Sequence, residues 1–254
     1  MFPYRDENPT ERFPIVVILL IIVNIAAWFG FQKMGMDEAA MASALCDWGL
    51  IPGEITGLAY GRVRPITQHF VCVVDPVPTY LTLLSMQFVH GGWMHLIGNM
   101  LFLWVFGNNI EDATGPIRFV VFYLLCGLMA AVVQIASDPA STVPAVGASG
   151  AVSGVMGAYL LLFPTARVWM VVPIFFYPLR FALPAWFYLI YWGLLQFLSG
   201  VSELATRVVS GVPQSGIAFW AHIGGFVAGM FFIRFFVDRD YLARRRRRER
   251  FYPG

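Results

Sequence analysis

Hydrophobic residues gather in six stretches along this chain, and polar residues separate the stretches from one another. The stretches cover residues 15–31, 93–106, 119–136, 149–163, 181–201 and 217–237, and we number them segments one to six. A helix that crosses the apolar core of a bilayer needs about 17–25 residues. Segments two and four are shorter than this, and the other four are long enough. The pattern predicts an all-α polytopic membrane protein, a bundle of six transmembrane helices.

The composition agrees with this prediction. Of the 254 residues, 58% are hydrophobic and 13% are charged, whereas soluble domains carry about 25% charged residues. The mean hydropathy is +0.68. We expect one membrane domain over residues 15–237, preceded by a cytoplasmic segment over 1–14 and followed by a basic tail over 238–254.

The distribution of basic residues predicts the orientation in the membrane. Cytoplasmic loops carry the excess of Lys and Arg, so the arginine-rich tail is expected inside, and six spans then place both termini there. Only four of the 17 basic residues fall outside under this arrangement, namely Lys33, Arg62, Arg64 and Arg207. The longest loop, residues 34–92, is external. We expect an integral protein of a prokaryotic cell membrane, with contacts to the lipid bilayer and none to nucleic acid.

Two of the three cysteines share that external loop. Cys46 and Cys72 lie where oxidation is possible, whereas Cys126 lies within segment three. Either a disulfide between Cys46 and Cys72 or two partly buried free thiols is compatible with this placement.

Polar residues at membrane depth are costly and therefore suggest function. Three groups stand at the outer ends of the even-numbered segments: His95 and Asn99 in segment two, Ser149 in segment four and His222 in segment six. Segment four covers roughly 22 Å of a hydrocarbon core of about 30 Å, so Ser149 is expected on the order of 8 Å below the outer boundary. His222 is expected at a similar depth.

Small residues explain how two of these groups could meet. Gly150 and Gly154 are four apart in segment four, and Gly225 and Gly229 are four apart in segment six. Such stripes allow helix backbones to approach closely. If the stripes face each other, Ser149 lies within hydrogen-bond reach of His222 and could act as a nucleophile with histidine as its general base.

The negative charge that develops on a substrate oxygen would need hydrogen-bond donors. His95 and Asn99 lie on one helical face, and both can donate a hydrogen bond. The free backbone N–H groups at the start of segment four are further donors. Gly147 would allow a substrate to approach this backbone. We assign these residues to an oxyanion site, with His90 just above them.

Each feature also has a simpler interpretation. Ser149 could be a packing residue, His222 an interfacial histidine, and the pair of His95 and Asn99 a contact between helices. Glu111 and Asp112, which follow segment two, are expected to be solvated or to cap a helix end. The sequence has no H-E-x-x-H motif, phosphate loop or dinucleotide fingerprint, so we expect neither a metal nor another cofactor.

Three motifs, "HGGWMHLIGNM", "GASGAVSGVMGAY" and "AHIGGFVAGM", give the chain a family resemblance. In this order they resemble the rhomboid intramembrane serine proteases, and the resemblance covers roughly residues 85–236 together with segment one. It implies a six-helix bundle, a Ser149–His222 dyad, oxyanion donors from His95, Asn99 and the backbone near Gly147, and hydrolysis of membrane-anchored proteins in or near a transmembrane helix.

The sequence departs from the family pattern at one position of the site. Some members carry a tyrosine four residues after the nucleophile, which stacks on the histidine, but this chain has Ser153 there. Another group must therefore hold the His222 ring. The competing interpretation is a rhomboid-like pseudoprotease that binds transmembrane helices without cutting them. A transporter or channel would need a charged or carbonyl-lined path through the midplane, and the sequence shows none.

Overall fold

The fold is mostly helical. The computed structural model describes residues 2–174, 177–210 and 218–251, and this part of the chain contains ten α-helices and five strands. The helices are α1 Ile15–Ala26, α2 Glu38–Trp48, α3 Pro52–Ile55, α4 Thr82–Ser85, α5 Trp93–Thr114, α6 Pro116–Ser137, α7 Ser149–Leu162, α8 Ala185–Ser210, α9 Phe219–Phe236 and α10 Arg239–Phe251. The strands are β1 Phe2–Asp6, β2 Val63–Pro65, β3 Val71–Val73, β4 Arg167–Ile174 and β5 Tyr177–Pro184.

The prediction of an all-α fold is wrong in one respect, because the described residues also form two small sheets, one of order β1-β4-β5 and one of β2 with β3. Strands β4 and β5 are antiparallel and pair from Arg167 with Pro184 to Ile174 with Tyr177, and β1 pairs with the other edge of β4. The β4 stretch, RVWMVVPI, is rich in β-branched residues, which favour strands. The predicted start of segment five is therefore four residues too early in the sequence, since residues 181–184 belong to β5 and the helix begins at Ala185.

Segment two is longer than predicted, because α5 continues for 22 residues to Thr114. It ends at Gly115, whose φ of +82° suits glycine, and Pro116 starts α6 at once. The predicted ends of segments one, three and four lie within three residues of the observed helix ends. Segment one is completed by a π-helical turn over Ala27–Phe31. Segment six begins at Phe219 instead, and Ile217 lies outside the described residues.

Glu111 and Asp112 are not solvated: both are buried near the C-terminal end of α5. The Glu111 carboxylate accepts the backbone N–H groups of Val16 at 3.0 Å and Val17 at 2.9 Å, in the first turn of α1. These N–H groups have no partner within their own helix, and the helix dipole there favours a negative charge. The expected end-capping is therefore found, but the capped helix is α1.

Helix α7 lies at the centre of the helical bundle. Every residue from Gly150 to Tyr159 is buried, and α7 packs against α5, α6, α8 and α9. At its C-terminal end the ring of Tyr159 meets that of Phe106 edge to face, 5.0 Å between centroids. Because α7 is enclosed by four helices, a side chain at its N-terminus is held on several sides.

The loop over residues 34–92 is folded and rests on the chain that leads into α7. A disulfide joins Cys46 of α2 to Cys72 of β3. Leu50 forms a two-way backbone bridge with Ala145, with N···O distances of 2.9 and 2.8 Å. The loop thus fixes the backbone four residues before Ser149.

By length and apolar composition, two helices among the described residues could cross a membrane, Pro116–Ser137 and Phe219–Phe236. The apolar helices Ile15–Phe31 and Ser149–Leu162 are shorter. β1 and α10 meet at the C-terminal end of α7, where the Tyr159 hydroxyl donates to Asp6 of β1 and the Arg245 guanidinium of α10 lies over the Phe163 ring. Arg245 also donates a hydrogen bond to the side-chain oxygen of Asn8, just after β1. The N-terminal segment and the basic tail therefore lie at the same end of the bundle, opposite Ser149.

Candidate active site

Ser149 and His222 meet at the N-terminal ends of two parallel helices. Ser149 is the first residue of α7, and His222 lies in the first turn of α9. The Oγ of Ser149 is 2.8 Å from the Nε2 of His222. This is a normal hydrogen-bond distance and the arrangement in which a histidine can take a proton from a serine hydroxyl.

The glycine stripes on α7 and α9 face each other and make this contact possible. A Cβ on Gly225 would overlap the carbonyl oxygen of Gly150, and a Cβ on Gly229 would overlap that of Gly154. The two backbones are therefore in direct contact over one helical turn. Ser149 and His222 lie at the start of this contact, so the packing of the helices sets their separation.

The second ring nitrogen of His222 has a partner that the sequence analysis missed. The Oε1 of Gln196, on α8, lies 2.8 Å from Nδ1 of His222. Trp192, one turn earlier on α8, places its ring 6.0 Å from the imidazole, centroid to centroid. The signal in the sequence is a single amide in the apolar stretch "YLIYWGLLQFL", and only the fold shows that it faces the site.

Ser153 does not take the place of the family tyrosine. Its hydroxyl donates to the carbonyl oxygen of Ser149 within α7, at 2.6 Å. Such a bond inside one helix keeps the side chain against its own backbone. The His222 ring is therefore held from α8, by Gln196 and Trp192.

His95 and Asn99 lie beside Ser149 and line the same cavity. The Nδ1 of His95 accepts the backbone N–H of Gly91 at 3.3 Å, so a neutral imidazole carries its proton on Nε2. The amide nitrogen of Asn99 is buried and has no hydrogen-bond partner among the described residues. A buried donor without a partner is costly, and an oxyanion formed in the cavity would satisfy it.

Gly147 serves the site by its shape, and its own N–H is already used. That N–H donates to the carbonyl oxygen of Met86 at 2.8 Å, so it is not free to bind an oxyanion, and the predicted role of Gly147 is limited to letting a substrate approach the backbone. Its φ is +118°, and a Cβ there would lie 2.5 Å from the Nε2 of His95 and 3.3 Å from the Nδ2 of Asn99. Only glycine leaves both donors accessible.

His90 lies next to His95 but away from the cavity. It is fully buried, and its ring meets that of His95 edge to face at 5.2 Å between centroids. The side chain of Gln32 binds its backbone, with the amide donating to the His90 carbonyl at 2.6 Å and accepting the His90 N–H at 2.9 Å. His90 therefore packs against His95 but does not line the cavity, and a place above the oxyanion donors stays a prediction.

A cavity of about 620 Å³ brings these side chains together. Its polar side chains include Ser149, His222, His95, Asn99, Ser153 and Gln196, and its larger apolar lining residues are Met94, Phe102, Val146, Val152, Met156 and Trp192. Pockets that bind apolar ligands commonly combine apolar walls with a few converging polar groups. Among the described residues no three His, Cys, Asp or Glu side chains are grouped as metal ligands.

Known proteins resemble this chain in sequence. It is 37% identical to RHOMBOID-like protein 5 of Arabidopsis thaliana over 78 residues, 31% of this chain and 25% of that protein. It is 26% identical to the mitochondrial Rhomboid protein 1 of Saccharomyces cerevisiae over 175 residues, 66% of this chain and 45% of that protein. Rhomboid protease GluP of Bacillus subtilis is 41% identical over 78 residues, 31% of this chain and 15% of that protein.

The aligned part spans less than half the length of each of these relatives. A family model described as the Rhomboid domain matches residues 78–239. This range includes α5, α7 and α9 with all the polar residues of the cavity. Because the match covers more than half of the chain, the chain belongs to the rhomboid family.

Proposed function

We propose that the protein is an intramembrane serine endopeptidase that cuts membrane-anchored proteins in or near a transmembrane helix. The observation that carries this proposal is the 2.8 Å hydrogen bond between Ser149 and His222 in a cavity that also holds the buried amide nitrogen of Asn99, which has no partner among the described residues. Relatives named as proteases, in Bacillus subtilis and Toxoplasma gondii, support it. Neither a metal nor an organic cofactor is needed for the reaction.

The first half of the reaction acylates the serine. The Oγ of Ser149 attacks the carbonyl carbon of the scissile peptide bond while the Nε2 of His222 takes the hydroxyl proton. The carbonyl oxygen becomes negative and receives hydrogen bonds from the Nε2–H of His95 and the Nδ2–H of Asn99. The backbone N–H groups in the first turn of α7, which lack acceptors in their own helix, add to this stabilisation.

The intermediate then collapses, and His222 gives its proton to the leaving amine. The carboxyl part of the substrate remains as an ester on Ser149. A water molecule that enters the cavity loses a proton to His222 and attacks the ester carbonyl, and the returning proton regenerates the serine hydroxyl. The same two side chains thus serve both halves of the reaction.

The site would lie within the membrane if the six segments span it. We take α1 with its π-helical turn, α5, α6, α7, α8 and α9 as the six spans, within a membrane domain over 15–237. Helix α7 has 14 residues and is about 21 Å long, which is shorter than a hydrocarbon core of about 30 Å. Ser149 would then lie below the outer surface, where irregular backbone must be covered by protein or line a water-filled cavity.

Orientation and location follow from the same argument. β1 and α10 lie at the end opposite Ser149, so an inside arginine tail places both termini in the cytoplasm and the 34–92 loop outside. The rhomboid family consists of integral membrane proteins. Similar proteins come from a bacterium, from mitochondria and from a chloroplast, so the prokaryotic membrane stays a prediction.

A fluorophosphonate probe and a model transmembrane substrate test the proposal together. We expect the purified protein in detergent to form a covalent adduct at Ser149 and to cleave the substrate. Ser149→Ala and His222→Ala should abolish both, whereas Ser43→Ala, an exposed serine in the external loop, should change neither. Wild-type protein that binds a transmembrane segment but neither reacts nor cleaves would indicate a pseudoprotease.

A further inference from the structure

Gln196 occupies a position that its sequence surroundings do not explain. It is half-buried and lines the cavity, while its neighbours on α8, Leu195 and Leu198, are exposed on the outer side of the bundle. Its Oε1 lies 2.8 Å from the Nδ1 of His222. An amide in an apolar helix is costly unless it has a partner, and this one is directed at the imidazole.

The contact selects one tautomer of His222. A carbonyl oxygen can only accept a hydrogen bond, so the Nδ1 of His222 must carry the proton that it shares with Gln196. In a neutral imidazole the other nitrogen then has a free lone pair, and this nitrogen, Nε2, faces the Oγ of Ser149 at 2.8 Å. The opposite tautomer would present Nε2–H to the serine and could not accept its proton.

The same contact strengthens when the ring becomes charged. After His222 takes the proton of Ser149, the Nδ1–H of the imidazolium donates to Gln196 as a charge-assisted hydrogen bond, which is stronger than a neutral one. The acceptor itself stays neutral throughout. A carboxylate in this position would have to be buried at membrane depth, which is costly.

Helix α8 also limits the tilt of the ring. The indole of Trp192 is tilted 37° relative to the imidazole at a centroid distance of 6.0 Å. Ser153, at the position of the family's tyrosine, donates its hydroxyl to the carbonyl oxygen of Ser149 rather than to the ring. The orientation of His222 therefore depends on α8, and Gln196 makes the only polar contact that the described residues offer to its Nδ1.

We propose that Gln196 is the positioning residue that holds His222 in the tautomer and orientation required for proton transfer from Ser149. This inference rests on the proposed protease function. It makes the site a Ser149–His222–Gln196 triad in which a neutral amide fills the place that a carboxylate has in a soluble serine protease.

Three variants separate positioning from helix packing. Gln196→Leu keeps an extended side chain and removes the acceptor, so we expect kcat to fall on the order of 10²-fold with little change in KM. Gln196→Glu retains an oxygen acceptor in the same place, so it should recover most of the lost kcat, with a lower melting temperature because the carboxylate is costly at this depth. Leu198→Ala, on the exposed side of the same helix, is the matched control and should behave like the wild type.

Nitrogen-15 NMR of histidine-labelled protein gives a readout that a purely structural role would not change. We expect the wild-type His222 signal to be that of the Nδ1–H tautomer, and Gln196→Leu to shift it toward a mixture of both tautomers. If Gln196→Leu does not fold, Gln196→Met serves as the second apolar variant, with the same expected loss.

The outcomes distinguish this inference from the function on which it rests. A wild-type protein that neither reacts with the fluorophosphonate nor cleaves substrate would overturn the protease proposal itself. An active wild type together with an unchanged kcat in Gln196→Leu, or with an unchanged tautomer signal, would overturn the role of Gln196 alone.

Discussion

Gly225 lies against the carbonyl group of Gly150, with no space for a side chain between them. Ser149, the residue before Gly150, and His222, three residues before Gly225, share their 2.8 Å hydrogen bond. Since α7 and α9 are rigid over this distance, the backbone contact determines how far apart the two side chains can be. Helix packing and the proposed chemistry therefore depend on the same glycines.

We predict that Gly225→Ala lowers the rate of substrate cleavage by on the order of 10²-fold, since a displacement near 1 Å can cost that much in a catalytic site. The new Cβ would overlap the Gly150 carbonyl and force the helices apart. The measurement is turnover of a model transmembrane substrate by protein whose helical content, from circular dichroism, is unchanged.

Gly193→Ala on α8 is the matched control, because the nearest atom to its new Cβ would be 4.0 Å away. This variant should cleave at the wild-type rate. A wild-type rate in Gly225→Ala would mean that the contact between α7 and α9 does not set the geometry of Ser149 and His222.

Asn99→Ala should lower kcat by about 10²–10³-fold, which is roughly 3–4 kcal/mol of transition-state stabilisation, with KM little changed. The amide has no partner in the described structure, so its hydrogen bond is expected to form mainly to the oxyanion. Ile97→Ala, on the exposed face of α5, provides the control. A variant with normal kcat and only a raised KM would remove Asn99 from the oxyanion site.

The pair of Ser149 and His222 could be predicted because each has a local signature. The serine starts a short apolar segment after Gly147, and the histidine precedes a glycine stripe that matches the stripe after the serine. These features need only helix geometry and the cost of polar groups in lipid. The contact itself is then a consequence of how glycine stripes pack.

Gln196 could not be predicted in the same way, because no local motif marks this amide as a partner of His222. Nothing in the pattern of segment five fixes the rotation of α8 about its axis. The burial of Glu111 could not be predicted for a related reason. Its partners are backbone N–H groups of α1, and a sequence does not show which N–H groups will need an acceptor. The β4–β5 hairpin was missed because an apolar stretch ending in proline can belong to a strand as well as to a helix.

The disulfide between Cys46 and Cys72 should stabilise the external loop. It closes a separation of 26 residues, and loop closure of this size contributes about 3–4 kcal/mol. We predict that Cys46→Ser lowers the melting temperature of protein exported under oxidising conditions. Because the loop bridges Ala145 ahead of Ser149, the same variant should also weaken activity.

Alkylation without reductant, followed by mass spectrometry, checks the bond directly. In denatured wild-type protein we expect one labelled thiol, Cys126, which is free and buried in the folded chain. Three labelled thiols would show that the loop is held in some other way, and the predicted loss of stability in Cys46→Ser would then have no basis.

Asp6 lies at the end of the bundle opposite Ser149, and its carboxyl group should make the free energy of unfolding depend on pH. It accepts hydrogen bonds from the Tyr159 hydroxyl at 2.5 Å and the Asn109 amide at 2.8 Å. Burial, as the largest cause, raises the pKa of Asp6 from 3.8 to about 6. The folded state therefore binds the Asp6 proton more tightly than the unfolded state, so this stabilisation is complete below pH 3.8 and is lost as the pH rises through 6.

We predict that Asp6→Asn flattens this pH dependence between about pH 4 and pH 7, because the amide keeps an acceptor oxygen but cannot ionise. After allowance for partial exposure of the carboxyl group, the effect is on the order of 1–2 kcal/mol in the free energy of unfolding. Melting temperatures of wild type and variant across this range isolate the contribution of Asp6, since the other carboxylates are common to both proteins. Glu7→Gln, which changes a neighbouring exposed carboxylate, is the control and should keep the wild-type slope. If the curves of Asp6→Asn and the wild type run parallel, Asp6 titrates alike in the folded and unfolded chain, and β1 does not bury it against α5 and α7.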